Sequence, residues 1–466
     1  MTFNSAIFVL FAAVFFAFWP LARRTDRTRY VYIIVLSLFF YGWWDWRFVP
    51  LLVGTGLVDF YAALLMSRFP AHRRTFLIAS LISNLGVLGF FKYANFFASN
   101  LNGLASLFGF EGHAAPALSI VLPVGISFYT FASMSYTIDV YKRHMKASED
   151  VWHFLAFLSL FCHLVAGPIV RAYTLMPQMT QVRRPDEAMR WEGTKLVIFG
   201  FFKKVVIADN LALTVNTAFA GDSTGGAIFW WTIVTMFAFQ IYCDFSGYSD
   251  IARGLAKWMG YDFLLNFNFP YSSIGIRDFW ARWHISLSTW FRDYVYIPLG
   301  GSRRGFWSGI RNMWITMLLS GLWHGANWTF LAWGAVHAAY LMIERLTLWP
   351  EKLQASGRAG GIVGWAVTIV LVWISWVFFR AETLAHAIEV IGGMFRFADL
   401  NVPIPASVFA FLLLGIFFEG ALRACPKQWP NLSRLDPWWK PAVLAGLITI
   451  CIFMRGAGQT FIYFNF

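Results

Sequence analysis

Charge is what this chain has little of. Only 13% of its 466 residues are Asp, Glu, Lys or Arg, against about 25% in soluble domains, and the mean hydropathy is +0.57. A water-facing surface of ordinary size is thereby excluded, and the chain reads as an integral membrane protein. Cysteine is also sparse. Cys162, Cys243, Cys425 and Cys451 lie in or beside apolar segments without metal-ligand spacing, which argues for small buried hydrophobes rather than a disulfide framework. Acidic residues number 24 against 37 basic ones. The basic excess falls in short loops between apolar runs, not in the single stripe that nucleic acid would need, so it follows the positive-inside pattern. No His-x-x-x-His pair suggests a metal site. GISFYTF lacks the Gly-x-Ser-x-Gly elbow of a serine hydrolase. There is no internal repeat, low-complexity tract or soluble domain.

What is abundant is aromatic: 20% of residues, with 50 Phe and 24 Trp, suits lipid-facing and interfacial surface. The first apolar run, Ser5 to Leu21, is followed by Arg23, Arg24, Arg27 and Arg29. That order is the reverse of a cleaved signal peptide and predicts a retained helix that starts outside. Tyr30–Trp44 then goes out and Phe48–Met66 returns to Arg68, Arg73 and Arg74. Thr75–Phe91 goes out to a polar loop through His113, and Ala117–Ile138 returns to Lys142, Arg143, His144 and Lys146. Trp152–Val170 has basic flanks on both sides (Arg171, Arg183, Arg184, Arg190) and reads as re-entrant. Further spans are expected near 194–215, 226–243, 328–346, 362–379, 404–421 and 440–454, with shorter apolar pieces at 310–323 and 384–396. The expectation is all-α: about eleven transmembrane helices plus re-entrant or interfacial helices, in a single membrane domain over 1–466.

The segment 242–311 is different in kind. Its Trp, Tyr, Arg, Asp and His are interleaved, so it neither spans cleanly nor reads as a solvated loop; an interfacial or partly inserted helix fits better. Within 281–293, Arg282 lies four residues before Ser286 and His284 four before Ser288, so helical spacing would project the Arg and the His in neighbouring directions. Farther on, GLWHGANW sets His324 between Trp323 and Gly325 at the end of an apolar run. A histidine there needs a partner or a purpose, and Gly321 and Gly325 leave room for another group to approach the backbone.

RDFWARWHISLSTWFRDYVYIPLGG, preceded by DFSGYSDIARG and followed by GLWHG, resembles the membrane-bound O-acyltransferase family. The likeness is to its bacterial branch, which includes alginate O-acetylation and D-alanyl transfer membrane proteins. It extends through the N-terminal FNS, FFKYANFF, LPVGISFYTF and AGPIVR to the terminal FIYFNF, and its motif-rich core is about 242–330. The resemblance implies a ring-like helical architecture with a central tunnel from the cytoplasmic face to an outer funnel. His324 matches the family's essential histidine and His284 its second polar position. The acyl group would come from a cytoplasmic thioester, acetyl-coenzyme A or an acyl-carrier protein, with no bound cofactor or metal. It would be delivered outside, with a periplasmic or membrane-tethered SGNH-hydrolase-like partner, to an exported polysaccharide or cell-wall glycan.

The residues suit that chemistry. Acyl transfer to a hydroxyl needs a base, oxyanion stabilisation and exclusion of water, and histidine is the usual base. On this reading His324 is the base, and His284 orients it or donates to the oxyanion. Trp323 walls an acyl arm that passes Gly321 and Gly325. Arg282, Ser286 and Asp244 are candidate substrate contacts, and Arg303, Arg304 and Arg311 are candidate grips on donor phosphates. Each has a structural alternative. The histidines, among them His163, His337 and His386, can serve as hydrogen-bonding core residues. Asp244 and Asp250 can bond Ser246 or Tyr248, and the arginines can act as plain topological charges. As a whole the chain reads as an O-acetyltransferase of the bacterial inner membrane. The rival readings are a transporter, a non-catalytic acyl-presenting subunit, or transfer of D-alanyl or another acyl group. Retention of the short basic loops in the cytoplasm predicts that a cysteine placed at Arg27 is not labelled from the outer face of intact cells; labelling there would reverse the topology.

Overall fold

The computed structural model describes residues 1–109, 116, 118–181, 184–221, 225–397, 404–424 and 439–462; Cys425, the 110–115 part of the expected polar loop and the last four residues of FIYFNF lie outside them. The earlier part of that expected loop is helical instead, because the helix Arg73–Leu107 runs on through it. Every regular element among the described residues is helical. The chain divides into two compact units, Met1–Arg184 with Met259–Phe263, and Pro185–Trp258 with Leu264–Phe466.

In the first unit the helices are α1 (Ala6–Ala22), α2 (Asp26–Asp45), α3 (Val49–Arg68), α4 (Arg73–Leu107), α5 (Ile126–Tyr141), α6 (Val151–Ser159), α7 (Phe161–Leu164) and α8 (Ala172–Met179). Their starts follow local capping chemistry. The side chains of Ser5, Thr25 and Asp150 accept the N–H of Phe8, Thr28 and Trp152, satisfying donors that a first helical turn leaves unpaired. The expected 117–138 span is shorter than its sequence suggested. Helix begins only at Ile126, behind Gly125 at φ 78°, where a Cβ would sit 2.5 Å from the Leu164 carbonyl oxygen.

The run 152–170 is broken, and the break is repaired from within. Helix stops at Ser159 and resumes at Phe161. The Phe161 N–H donates to Ser37 Oγ at 3.1 Å, and His163 Nε2 lies 2.9 Å from the Phe157 carbonyl oxygen. A carbonyl can only accept, so that ring nitrogen carries the proton. His163 is thus a structural residue at a helix break, the kind of backbone repair that apolar surroundings demand. Phe161 then fills a cluster with Phe11, Phe15 and Phe40 at centroid distances of 4.9–5.7 Å.

The second unit contains α9 (Glu187–Phe201), a π-helical stretch Phe202–Ala208, α10 (Asp209–Ala220), α11 (Ala227–Met259), α12 (Ile276–Arg282), α13 (Ile285–Phe291), α14 (Phe306–His324), α15 (Trp328–Thr347), α16 (Trp349–Ala355), α17 (Gly357–Arg380), α18 (Leu384–Met394), α19 (Ala406–Ala424) and α20 (Trp439–Phe453). Helix α11 has 33 residues, about 50 Å at 1.5 Å per residue. It therefore absorbs DFSGYSDIARG, and the interfacial reading of 242–311 holds at most beyond Met259. By length and composition, five helical stretches among the described residues are able to cross a membrane: Asp26–Arg68, Pro70–Leu107, Ala227–Met259, Gly357–Arg380 and Ala406–Ala424. Several other expected spans coincide with shorter or more polar helices, so the five stand beside an expectation of about eleven.

Helices α9 and α11 meet along paired glycines. A Cβ on Gly200 would lie 2.5 Å from the Gly247 carbonyl oxygen, and one on Gly193 would lie 2.8 Å from that of Gly254. Backbone cannot give way as a side-chain tip does. Gly200→Ala is therefore expected to lower stability by about 1–3 kcal/mol, read as a fall in melting temperature of the detergent-purified protein. Gly86→Ala, where nothing lies within 4 Å, is the control and should be neutral or stabilising.

Candidate functional site

The candidate residues lie where the chain between α11 and α14 stops being regular. Gly260 at φ 95°, Phe269 at φ 48° and Gly275 at φ 100° turn it back on itself. Helix α12 then starts under Glu344, whose carboxylate accepts the N–H of Ile276 at 2.5 Å and of Arg277 at 3.3 Å, an anion at the positive end of the helix. The RDFWARWHIS motif does not form one helix. It ends at Arg282, passes Trp283 in an extended conformation, and places His284 at φ 43°, ψ 53° as the residue before α13. The expected i, i+4 pairs, Arg282 with Ser286 and His284 with Ser288, therefore do not lie on one continuous helix. Arg282 Nε instead donates to Asp278 Oδ1 at 2.8 Å on its own helix.

His284 is wholly buried and is held by Asn266. Its Nδ1 lies 3.2 Å from Asn266 Oδ1, which also accepts the Ser286 N–H at 3.2 Å and the Ser286 hydroxyl at 2.8 Å. A backbone N–H can only donate, so the amide oxygen faces this side, while Asn266 Nδ2 reaches Ser249 Oγ at 3.1 Å. The Nδ1 of His284 must then carry the hydrogen, and in the neutral ring Nε2 is an acceptor. Burial pushes the imidazole down to about 3, so it is neutral at physiological pH. Donation from His284 Nε2 to an oxyanion is thus ruled out for this tautomer. Phe245 meets the ring edge-on at 4.6 Å and Trp323 lies at 6.1 Å.

His324 is the last residue of α14 and is 2% exposed. Its ring is boxed by Trp323 at 5.0 Å, Trp333 at 5.0 Å and Phe379 at 5.1 Å. Trp323 thus packs near both histidine rings. The space beside Gly321 and Gly325 is filled by the protein itself: a Cβ at Gly321 would lie 2.2 Å from the Phe330 carbonyl oxygen, and one at Gly325 would lie 2.1 Å from the Phe330 ring. Those glycines let α14 and α15 close on each other. They are not the passage for an acyl arm that the sequence suggested.

His284, Ser286, Trp323 and His324 are thus gathered in one neighbourhood. Arg303, Arg304 and Arg311 are exposed at the opposite end of α14, with Arg311 about 20 Å along the helix from His324. Arg311 also bonds Asn312 Oδ1 at 3.1 Å. Asp244 and Asp250 pair with lysines, not with Ser246 or Tyr248. Lys204 Nζ lies 2.7 Å from Asp244 Oδ1 and 2.8 Å from Asp209 Oδ1, and Lys203 Nζ lies 2.5 Å from Asp250 Oδ2. His337 accepts the Trp280 indole N–H at 3.3 Å, in keeping with its structural reading. Sequence reasoning missed Lys203, Lys204 and Asn266. The FFKK pair inside an apolar run was the available signal for the lysines, and the isolated polar residue in LLNFNF for the asparagine. Among the described residues, no group of three or more His, Cys, Asp or Glu side chains is placed to hold a metal ion.

Comparison with known proteins covers the same region. The family model of the membrane-bound O-acyltransferase family matches residues 142–381, which include both histidines. Over its whole length the chain is 38% identical to the probable alginate O-acetylase AlgI of Pseudomonas putida, 100% of which is covered. It is 35% identical to the peptidoglycan O-acetyltransferase of Helicobacter pylori over 78% of this chain and 73% of that protein. The teichoic acid D-alanyltransferase of Streptococcus thermophilus is 29% identical over 49% of this chain and 58% of that protein.

Because Asn266 Oδ1 accepts from both His284 and Ser286, Asn266→Leu should remove that shared acceptor and cost about 1–3 kcal/mol. The melting temperature of the purified protein measures this. Asn266→Asp, which keeps an acceptor, should recover part of the loss, and equal losses in the two variants would count against the assignment.

Proposed function

Because the chain belongs to the membrane-bound O-acyltransferase family, we propose that this acyltransferase moves an acetyl group from a cytoplasmic thioester to hydroxyls of an exported polysaccharide or cell-wall glycan, with His324 as general base. The observation that carries the proposal is that Trp323 packs near both His284 and His324, inside the family-matched region. His324 takes the proton of the acceptor hydroxyl, the alkoxide oxygen adds to the thioester carbonyl, and a tetrahedral oxyanion forms. Collapse breaks the C–S bond, and the departing thiolate receives the proton from the imidazolium. The aromatic box around His324 excludes water that would hydrolyse the thioester. The carbonyl end of α14 is also a favourable place for a ring that becomes positive.

His284 supports this step differently from a donor. With Nδ1–H committed to Asn266, its Nε2 accepts, so it positions a hydroxyl or another N–H beside Trp323. Arg303, Arg304 and Arg311 hold the phosphates of coenzyme A or of a carrier's pantetheine at the far end of α14. The donor then spans the length of that helix, with its thioester at His324. Arg282 and Asp244, each bonded within the fold, act by holding that scaffold. The seat is the inner membrane of a bacterium, and the partner that completes transfer is an SGNH-hydrolase-like protein outside it.

Acetyl transfer is favoured over D-alanyl transfer because the O-acetylating relatives match more of the chain and at higher identity. In proteoliposomes supplied with acetyl-coenzyme A, His324→Ala should lower thioester consumption by about 10² to 10⁴, the usual worth of a positioned base, with little change in protein level. His324→Gln, closer in volume, should be equally impaired. Turnover above half of wild type in either variant would remove the base from His324, and a transporter would show no thioester consumption at all.

A further inference from the structure

The first unit holds a buried carboxylate that the acyl-transfer reading leaves unused. Asp59 of α3 is 0% exposed and meets side chains from α4 and α5. Ser80 Oγ donates to its Oδ1 at 2.5 Å, Asn84 Nδ2 lies 2.8 Å from both carboxylate oxygens, and Ser133 Oγ donates to Oδ2. Thr137 Oγ1 is 3.1 Å from Ser80 Oγ. All five side chains are at most 1% exposed. Asp59 lies in the Asp26–Arg68 stretch, and Ser80 and Asn84 in Pro70–Leu107, both apolar enough to cross a membrane.

Among the described residues, every hydrogen-bond partner of this carboxylate is neutral. That sets it apart from Asp209, Asp244 and Asp250 of the second unit, each of which has a lysine within 2.8 Å. The donors around Asp59 match a carboxylate, which only accepts. Hydrogen bonds alone, however, leave a negative charge in apolar surroundings without a counter-charge, and that is costly. The cluster is rich in hard oxygens: two from the carboxylate and one each from Ser80, Ser133 and Thr137. Turning the Asn84 amide would add its carbonyl oxygen. Helical Ser and Thr hydroxyls can direct their hydrogens to the carbonyl four residues earlier, which frees their lone pairs for an ion. Oxygen-only ligands select hard cations. With a single carboxylate, charge neutrality selects a monovalent one; the oxygens stand at hydrogen-bonding separations, so a small ion is the one that needs least widening of the cluster.

We propose that Asp59, Ser80, Asn84, Ser133 and Thr137 form a sodium-binding site that clamps α3, α4 and α5 together. It is independent of the acyl-transfer step and would stand if that reading failed.

The test is a thermal-shift titration of the detergent-purified full chain, in which sodium chloride replaces choline chloride at constant total salt and fixed pH. A ligand that binds the folded form raises the melting temperature with its concentration, so a rise that grows with sodium is expected in the wild type. Ser133→Ala and Thr137→Val should each shift the sodium dependence to about tenfold higher concentration, the effect of weakening the site by one ligand. A wild-type melting temperature that is the same in sodium and choline overturns the proposal, and that measurement needs no variant. So does a sodium effect unchanged in both variants, which would place the ion elsewhere. A melting temperature that responds to pH but not to sodium would assign the charge at Asp59 to a proton, and would equally exclude the site.

Discussion

A charge withdrawn from water must find its partner within the chain, and this requirement organises the second unit. Lys204 is 1% exposed and lies between Asp209 and Asp244. It sits in the π-helical stretch between α9 and α10, the kind of local widening that re-aims side chains. The same place receives the segment after α20. Lys204 Nζ donates to the Gln459 carbonyl oxygen at 3.2 Å, and the N–H of Gly456 and of Ile462 reach the Val205 carbonyl oxygen and Asp244 Oδ2. One lysine thus ties α10, α11 and the C-terminal segment together. Taking away one member of such a set leaves an uncompensated charge, a loss of about 3–5 kcal/mol.

The candidate site is a consequence of the same rule. Irregular backbone in apolar surroundings is tolerated only where its polar groups are paired, and between α11 and α14 two of the breaks show their partners. Glu344 holds the start of α12, and Thr368 Oγ1 accepts the Gly275 N–H at 2.7 Å. Asn266 holds the turn at His284. Asp244 and Phe245, adjacent on α11, face different tasks: the first bonds Lys204, and the second packs on the His284 ring. The histidine is therefore fixed in place and in tautomer by groups that first serve to satisfy the fold.

Close helix approach is the second theme. The glycines of GLWHG read in the sequence as space for a substrate, but at both positions that space belongs to Phe330. The close meeting of α14 with α15 sets His324 inside its aromatic box. Access to His324 must then come past side chains such as Trp323, not along bare backbone.

Much of this was legible in one dimension. Hydropathy gave the membrane class, the helical content and most helix positions, because a helix satisfies its own backbone and its limits are set by local caps and breakers. The irregularity of the 152–170 run and the family itself were also readable, since each is a property of neighbouring residues. Other features were decided only by tertiary structure. These include the extension of α11 to Met259, the split of RDFWARWHIS at His284, the lysine partners of Asp244 and Asp250, and the pairing of His284 with Asn266. The sequence shows that a buried aspartate or histidine is costly. Which group relieves that cost depends on helices that are distant along the chain and adjacent only after folding.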